Sequence, residues 1–237
     1  MIFKRYELKY HLTRAQKDAL LRAMEGHLAL DHFGHHVIRN IYFDTASFRL
    51  IRTSLEKPLY KEKLRVRAYQ QCGQNDPVFV ELKKKFEKVV YKRRLLLPNR
   101  LAMDALTQGR MLPNDSQIAR EIEAFRAYYG PSLQPAMLLT YEREAYAPVD
   151  GTDFRLTLDE NILWRTSDMD LGAEIGGKLV LPRQDILMEL KTPGGIPLWM
   201  TRFLAEQKIY QSSFSKYGTA YQQLIREEKA TGVRKDA

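Results

Sequence analysis

The stretch "YKEKLRVRAYQ" (residues 60–70) decides how the chain is read. Strand side chains alternate with period two. As a strand, this stretch puts Lys61, Lys63, Arg65 and Arg67 on one face and Glu62, Leu64, Val66 and Ala68 on the other. Four like charges in a row repel one another, so the fold must set something opposite them.

The same alternation recurs along the chain. "FKRYELKYHL" (3–12) places Glu7 and Lys9 opposite Leu8 and Tyr10. "VFVELKKKFE" (78–87) sets Phe79, Glu81, Lys83 and Lys85 against Val78, Val80 and Leu82, and "VVYKRRLLL" (89–97) follows it as a hairpin partner. "HHVIRNIYFDT" (35–45), "AMLLTYEREAYA" (136–147), "TDFRLTLDENILWR" (152–165) and "QDILMELKT" (184–192) are further strands, because period-two patterning with β-branched and aromatic residues marks strands. In the last, Asp185, Leu187, Glu189 and Lys191 share a face.

Helices are expected between these strands. Thr13 with Gln16 three residues on forms a capping-box pattern ahead of "RAQKDALLRAM". "ASFRLIRTSLE" (46–56) and residues 99–109 read as helices, as does 116–129, capped by Ser116 and stopped by Gly130-Pro131. "PLWMTRFLAEQKIY" and "FSKYGTAYQQLIREEK" are closing helices, with Tyr217 and Tyr221 packing at i, i+4. One domain is expected over 1–228, with a flexible tail at 229–237.

Composition narrows the function. The chain has 237 residues, with 38 Lys+Arg against 29 Asp+Glu and a net charge of +9. That excess favours polyanionic partners. The single cysteine, Cys72, excludes an intrachain disulfide. No signal-peptide core and no apolar run of spanning length are present, so the expectation is a cytoplasmic protein without a membrane span.

Two architectures suit strands with one apolar face and one face of mixed Arg, Lys and Glu. An antiparallel meander would turn the charges to water. A closed barrel of about eight strands would turn them inward, around a small ligand. Buried charges need partners, and phosphate oxygens would supply them: Arg binds phosphate bidentately and Lys as a point charge. Interleaved carboxylates would then hold a divalent metal, Mg²⁺ or Mn²⁺, which takes hard oxygen ligands.

The ordered pieces "RYELKYHL", "IYFDT", "LYKEKLRVR", "VFVELKKK", "YERE", "FRLTLD", "MELK" and "FSKYG" span about residues 1–226. Together they resemble the VTC domain, the catalytic domain of the vacuolar transporter chaperone polyphosphate polymerase, within the CYTH-like triphosphate tunnel metalloenzymes. The resemblance implies an α+β fold: an antiparallel β-barrel tunnel flanked by helices. It implies a metal-dependent transferase that moves the γ-phosphate of a nucleoside triphosphate, ATP by analogy, onto inorganic polyphosphate. Lys9, Arg65, Arg67, Lys83, Arg143 and Arg155 resemble the tunnel's phosphate-binding residues, joined by Lys92, Arg94, Lys191 and Ser215. Lys216 resembles the essential lysine of the C-terminal helix and, with Arg65 and Arg67, is expected to act on the transferring group. Glu189 resembles the metal-binding glutamate, with Glu7 and Glu81 as further carboxylates.

The regulatory N-terminal and membrane-spanning domains of the eukaryotic polymerases have no counterpart in these residues. Coupling to translocation is therefore unsupported, and a membrane component enters only as a partner protein. Two other functions stay open. A triphosphatase would use water in the same site, oriented by Glu7 or Glu81. A non-catalytic module would only hold polyphosphate or another polyanion.

Other motifs point elsewhere or nowhere. "GAEIGGK" (172–178) has P-loop spacing, but Leu179 stands where Mg²⁺ needs Ser or Thr. "HFGHH" (32–36) lacks the partners of a closed zinc site and reads as a surface loop entering a strand. "KKKFEK" (83–88) sits in alternating strands without a base-stacking motif, so no specific nucleic acid is expected. Cys72 beside turn residues is a bystander thiol.

Overall fold

The structure, a computed structural model, describes residues 6–87 and 89–232. Among these residues lie six α-helices and ten strands, an α+β arrangement built on an antiparallel sheet. The strands are β1 (Tyr6–Leu12), β2 (Leu28–Thr45), β3 (Tyr60–Ala68), β4 (Pro77–Phe86), β5 (Val89–Pro98), β6 (Leu133–Pro148), β7 (Arg155–Arg165), β8 (Lys178–Leu179), β9 (Ile186–Thr192) and β10 (Gln211–Ser212). The helices are α1 (Arg14–Ala23), α2 (Arg49–Leu55), α3 (Asn99–Gln108), α4 (Gln117–Tyr129), α5 (Leu198–Glu206) and α6 (Lys216–Thr231). The tail expected at 229–237 falls partly in α6, and its residues 233–237 lie outside the described ones, as does the start of the strand expected at 3–12. No described helix is long and apolar enough to cross a membrane.

The strand order is β10-β1-β9-β7-β6-β2-β3-β4-β5, with β8 beside β7. The expected antiparallel sheet with flanking helices is present, and it departs from the expected barrel only in that the sheet is not closed. Among the described residues no pairing joins β10 to β5, so hydrogen bonds do not close the sheet. A strand of only two residues at one end offers almost no ladder to complete a ring.

Helix caps form where the sequence places them. Thr13 Oγ1 accepts from the Gln16 amide at 3.2 Å and Gln16 Oε1 accepts from the Thr13 amide at 2.9 Å. Ser116 Oγ accepts from the Ala119 amide at 3.2 Å, and Gly130 ends α4 at φ 60°. Strand β2 differs from expectation. It begins at Leu28 rather than near residue 35, so "HFGHH" lies within the strand. Asp31 Oδ1 accepts from the amides of Phe33 and Gly34 there.

The chain divides into two compact units. One comprises Met1–Val37, Tyr141–Ile162 and Leu181–Phe214; the other Ile38–Thr140, Leu163–Val180 and Ser215–Ala237. In the first, Tyr10 and Leu12 of β1, Leu156 and Leu158 of β7 and Ile186, Met188 and Leu190 of β9 form a core with Leu20 of α1 and Met200 and Phe203 of α5. In the second, Leu64, Val66, Val80, Leu82, Leu95 and Leu97 of β3–β5 pack on Ala102 and Leu106 of α3 and Ile122 and Phe125 of α4. In both units the apolar parity of each strand faces helices, because that is where burial removes apolar area from water.

The glycine-rich "GAEIGGK" is a strap within the second unit. Arg39 Nη1 donates to the carbonyls of Leu171, at 3.1 Å, and Ala173, and Arg165 Nη1 donates to Glu174 O at 3.0 Å. A P-loop instead turns its amides toward phosphate. At Gly177 a Cβ would stand 2.4 Å from Trp164 O, so only glycine fits.

Candidate functional site

In the second unit, strand register turns the opening row into a lattice of charge. Lys63 pairs with Lys83, and Lys83 with Lys92. Arg65 pairs with Glu81, and Glu81 with Arg94. Lys61, Lys63, Arg65, Arg67, Lys83, Lys85, Lys92 and Arg94 thus share a face of β3–β5, against Glu81 as the carboxylate on that face.

Glu81 is 1% exposed. Its Oε2 accepts from Arg65 Nε at 2.8 Å and Nη2 at 2.7 Å. Its Oε1 accepts from Arg94 Nε at 2.8 Å and lies 2.9 Å from Lys92 Nζ. Arg67 Nε is 3.8 Å away. Burial alone would raise the Glu81 pKa, but Arg65, Arg67 and Lys92 outweigh it and hold the carboxyl far below its usual range. Burial also lowers the Lys92 ammonium to about 8; Glu81 pulls it upward, while Arg94 and Arg65 push it down.

Neighbours orient the guanidinium groups further. Arg65 Nη1 donates to Tyr42 Oη at 2.9 Å, and Arg67 Nε to Asn40 Oδ1 at 2.8 Å. Asn40 is itself held by Leu139 O at 3.2 Å. Arg94 donates to Tyr69 Oη at 3.0 Å and lies 4.3 Å from the Phe79 ring centroid, within cation–π range.

Helix α6 meets this face by its N-terminus. Ser215 caps the helix, accepting from the Gly218 amide at 3.1 Å, and also accepts from Lys63 Nζ at 3.2 Å. Lys216 is buried, and its charge, with those of Arg65 and Arg67, lowers the Tyr42 phenol pKa against the opposing effect of burial. Tyr217 stacks on Tyr42 at 4.4 Å and donates to Asp44 Oδ2 at 2.9 Å. Asp44 also accepts from the Leu50 and Ile51 amides at the start of α2. A Cβ at Gly218 would meet Leu55 Cδ2 at 3.0 Å, so the glycine of "FSKYG" lets α6 approach α2.

The first unit carries a mixed cluster. Register aligns Thr157, Glu189 and Lys9 in one row and Arg155, Lys191 and Glu7 in the next. Lys9 Nζ donates to Phe214 O at 3.0 Å and lies 3.3 Å from Glu7 Oε1 and 3.7 Å from Glu189 Oε1. Glu189 Oε2 stands 3.6 Å from Arg143 Nη2 and 3.9 Å from Lys191 Nζ, beyond hydrogen-bond length. Arg143 instead grips Asp159 through Nε and Nη2, each at 2.6 Å. Burial opposes the Arg143 charge, yet Asp159 outweighs it and raises the pKa well above the ordinary value. Burial lowers the Lys191 pKa, while Glu189 raises it. Arg155 is exposed.

The residues expected from sequence thus fall into two sets. Arg65, Arg67, Glu81, Lys83, Lys92, Arg94, Ser215 and Lys216 belong to the second unit, and Glu7, Lys9, Arg143, Arg155, Glu189 and Lys191 to the first. Asp159, Asn40, Tyr42 and Asp44 were not among them. The signal was present: Asp159 shares strand parity with Arg155, and Asn40 and Tyr42 share it with each other.

Among the described residues no group of three or more His, Cys, Asp or Glu is placed to hold a metal. Glu7 and Glu189 nevertheless offer hard oxygen donors on either side of Lys9. Mg²⁺ commonly takes one or two carboxylates and completes its shell with water and substrate phosphates. This donor set fits such a shared ion and does not fit a protein-only cage.

Residues 4–225 match the family model of the VTC domain. Among solved structures, a candidate adenylate cyclase of Bacillus halodurans is similar at 16% identity, with 90% of this chain and 95% of that chain covered and a TM-score of 0.55. A candidate adenylyl cyclase of Hippeastrum, described as having a dominant triphosphatase activity, is similar at 21% identity, with 92% and 95% covered and a TM-score of 0.58. At these identities the likeness is one of fold. No curated protein matches.

Proposed function

The chain belongs to the VTC domain family, and we propose that it binds a nucleoside triphosphate and transfers its terminal phosphoryl group to polyphosphate. The observation that carries this reading is the β3–β5 face, where eight cations share one side of the sheet with one carboxylate. Such a face suits a ligand with several negative oxygens in series. Arg65, Arg67, Lys83, Lys92 and Arg94 neutralise those oxygens, and Lys216 at the start of α6 steadies the transferring group. The first unit carries a basic set of its own, Lys9, Arg143, Arg155 and Lys191.

Phosphoryl transfer asks little covalent chemistry of a protein; positioning and charge stabilisation carry most of it. A terminal oxygen of the polyphosphate chain attacks the γ-phosphorus in line. The bond from that phosphorus to the β–γ bridging oxygen breaks, and the nucleoside diphosphate leaves with the electron pair. Glu189 and Glu7 are the carboxylates that would hold a divalent metal, Mg²⁺ or Mn²⁺, and a bound metal would offset charge on the phosphate oxygens.

A second reading has water as the nucleophile, and the triphosphatase activity described for the Hippeastrum protein favours it. The experiment that separates the two is incubation with ATP and Mg²⁺ or Mn²⁺, resolving long polyphosphate from orthophosphate. Polymer with nucleoside diphosphate supports the transferase; orthophosphate alone supports the hydrolase. Binding without turnover would leave a polyanion-binding module and sink both.

A further inference from the structure

We propose that Glu81 is a positioning residue, which presents Arg65, Lys92 and Arg94 to phosphate and holds no metal. The inference rests on the phosphate-binding reading of the β3–β5 face. Glu81 sits at the middle of β4, directly across from Arg65 on one neighbour and Arg94 on the other. A carboxylate accepts about four hydrogen bonds. Glu81 already has five donor atoms within 2.9 Å: two nitrogens of Arg65, two of Arg94 and the ammonium of Lys92. A metal ligated there would have to displace these cations and sit among them.

The arrangement has a physical purpose. Three long side chains with many rotamers would otherwise spread apart under mutual repulsion. A buried anion at their centre draws their stems inward and fixes their heads, so less freedom remains to be lost when phosphate arrives. Tyr42 and Tyr69 complete the orientation from the far sides of Arg65 and Arg94.

Simple charge counting gives the opposite sign. Removing Glu81 makes the face more positive by one charge, which by itself tightens anion binding. Ordering of several cations outweighs one added charge if Glu81 acts by position. The sign of the change is therefore the test.

The experiment measures tripolyphosphate affinity by calorimetry on the full chain, first with chelator and then along a Mg²⁺ titration. The variants are Glu81→Gln and Glu81→Asp, each checked by thermal unfolding. Positioning predicts that Glu81→Gln binds at least about tenfold more weakly without metal. The Mg²⁺ midpoint should stay at the wild-type value. Glu81→Asp keeps the charge on a shorter arm and should recover part of the loss; it carries the comparison alone if the Gln variant does not fold. Affinity equal to or tighter than wild type in Glu81→Gln overturns the inference. So does a shifted Mg²⁺ midpoint with unchanged metal-free affinity. Absence of tripolyphosphate binding by the wild-type chain overturns the phosphate-binding reading itself, and the inference with it.

Discussion

Arg143 and Asp159 are locked by two 2.6 Å hydrogen bonds, with Asp159 fully buried. A guanidinium held on one edge by an internal carboxylate is oriented before any ligand arrives. Breaking a buried pair by neutralising one partner leaves the other charge uncompensated, typically costing about 3–5 kcal/mol. Asp159→Asn should therefore lower the unfolding free energy in urea by about that amount. A loss below ~1 kcal/mol would show that Arg143 finds another partner.

Glu189 tests the metal assignment. Glu189→Gln keeps the shape and removes the charge. If one metal contact contributes even ~1.4 kcal/mol to the transition state, turnover should fall about tenfold. The half-saturating Mg²⁺ or Mn²⁺ concentration should rise as well. A folded variant with wild-type rate and metal response would refute the role.

Lys216 separates transfer from simple binding. An exposed helix lysine usually matters by less than about 0.5 kcal/mol, but Lys216 is buried beside Tyr42. If it acts mainly in the transition state, Lys216→Leu should lower kcat at least about tenfold and change nucleotide Kd much less. Weakened Kd with kcat intact would make it part of the binding surface only.

Lys92 gives the site a pH dependence. Its pKa in the folded chain is lowered to about 8, below the value of an ordinary lysine. A base lowered in this way binds fewer protons folded than unfolded, so it costs stability below pH 8, and that cost fades as pH rises toward the ordinary value. Its positive charge, useful for phosphate, is lost over the same rise. Triphosphate affinity should therefore drop between about pH 7 and 9, while Lys92→Met should lack that limb. An identical pH profile in the variant would assign the titration elsewhere.

Much of the arrangement is legible in local sequence, because strand alternation and helix capping act within a few residues. The parity of "YKEKLRVRAYQ" correctly separates Lys63, Arg65 and Arg67 from Leu64 and Val66, and the latter two lie in the core. Thr13 and Ser116 cap the helices for which their spacing marks them. Alternation also groups Glu189 with Lys191 and Glu7 with Lys9.

What the sequence could not decide is which charge meets which. That depends on register between strands far apart in the chain, and register follows from how whole apolar faces pack. Only the fold sets Glu81 between Arg65 and Arg94, Asp159 under Arg143, and the cap of α6 against Lys63. The open strand order is likewise a tertiary outcome, since each strand's pattern suits a barrel or an open sheet equally. The sequence by itself determined a basic face in search of an anion; tertiary pairing decided that a buried glutamate stands at its centre, because only a carboxylate brought from a neighbouring strand can hold those cations together.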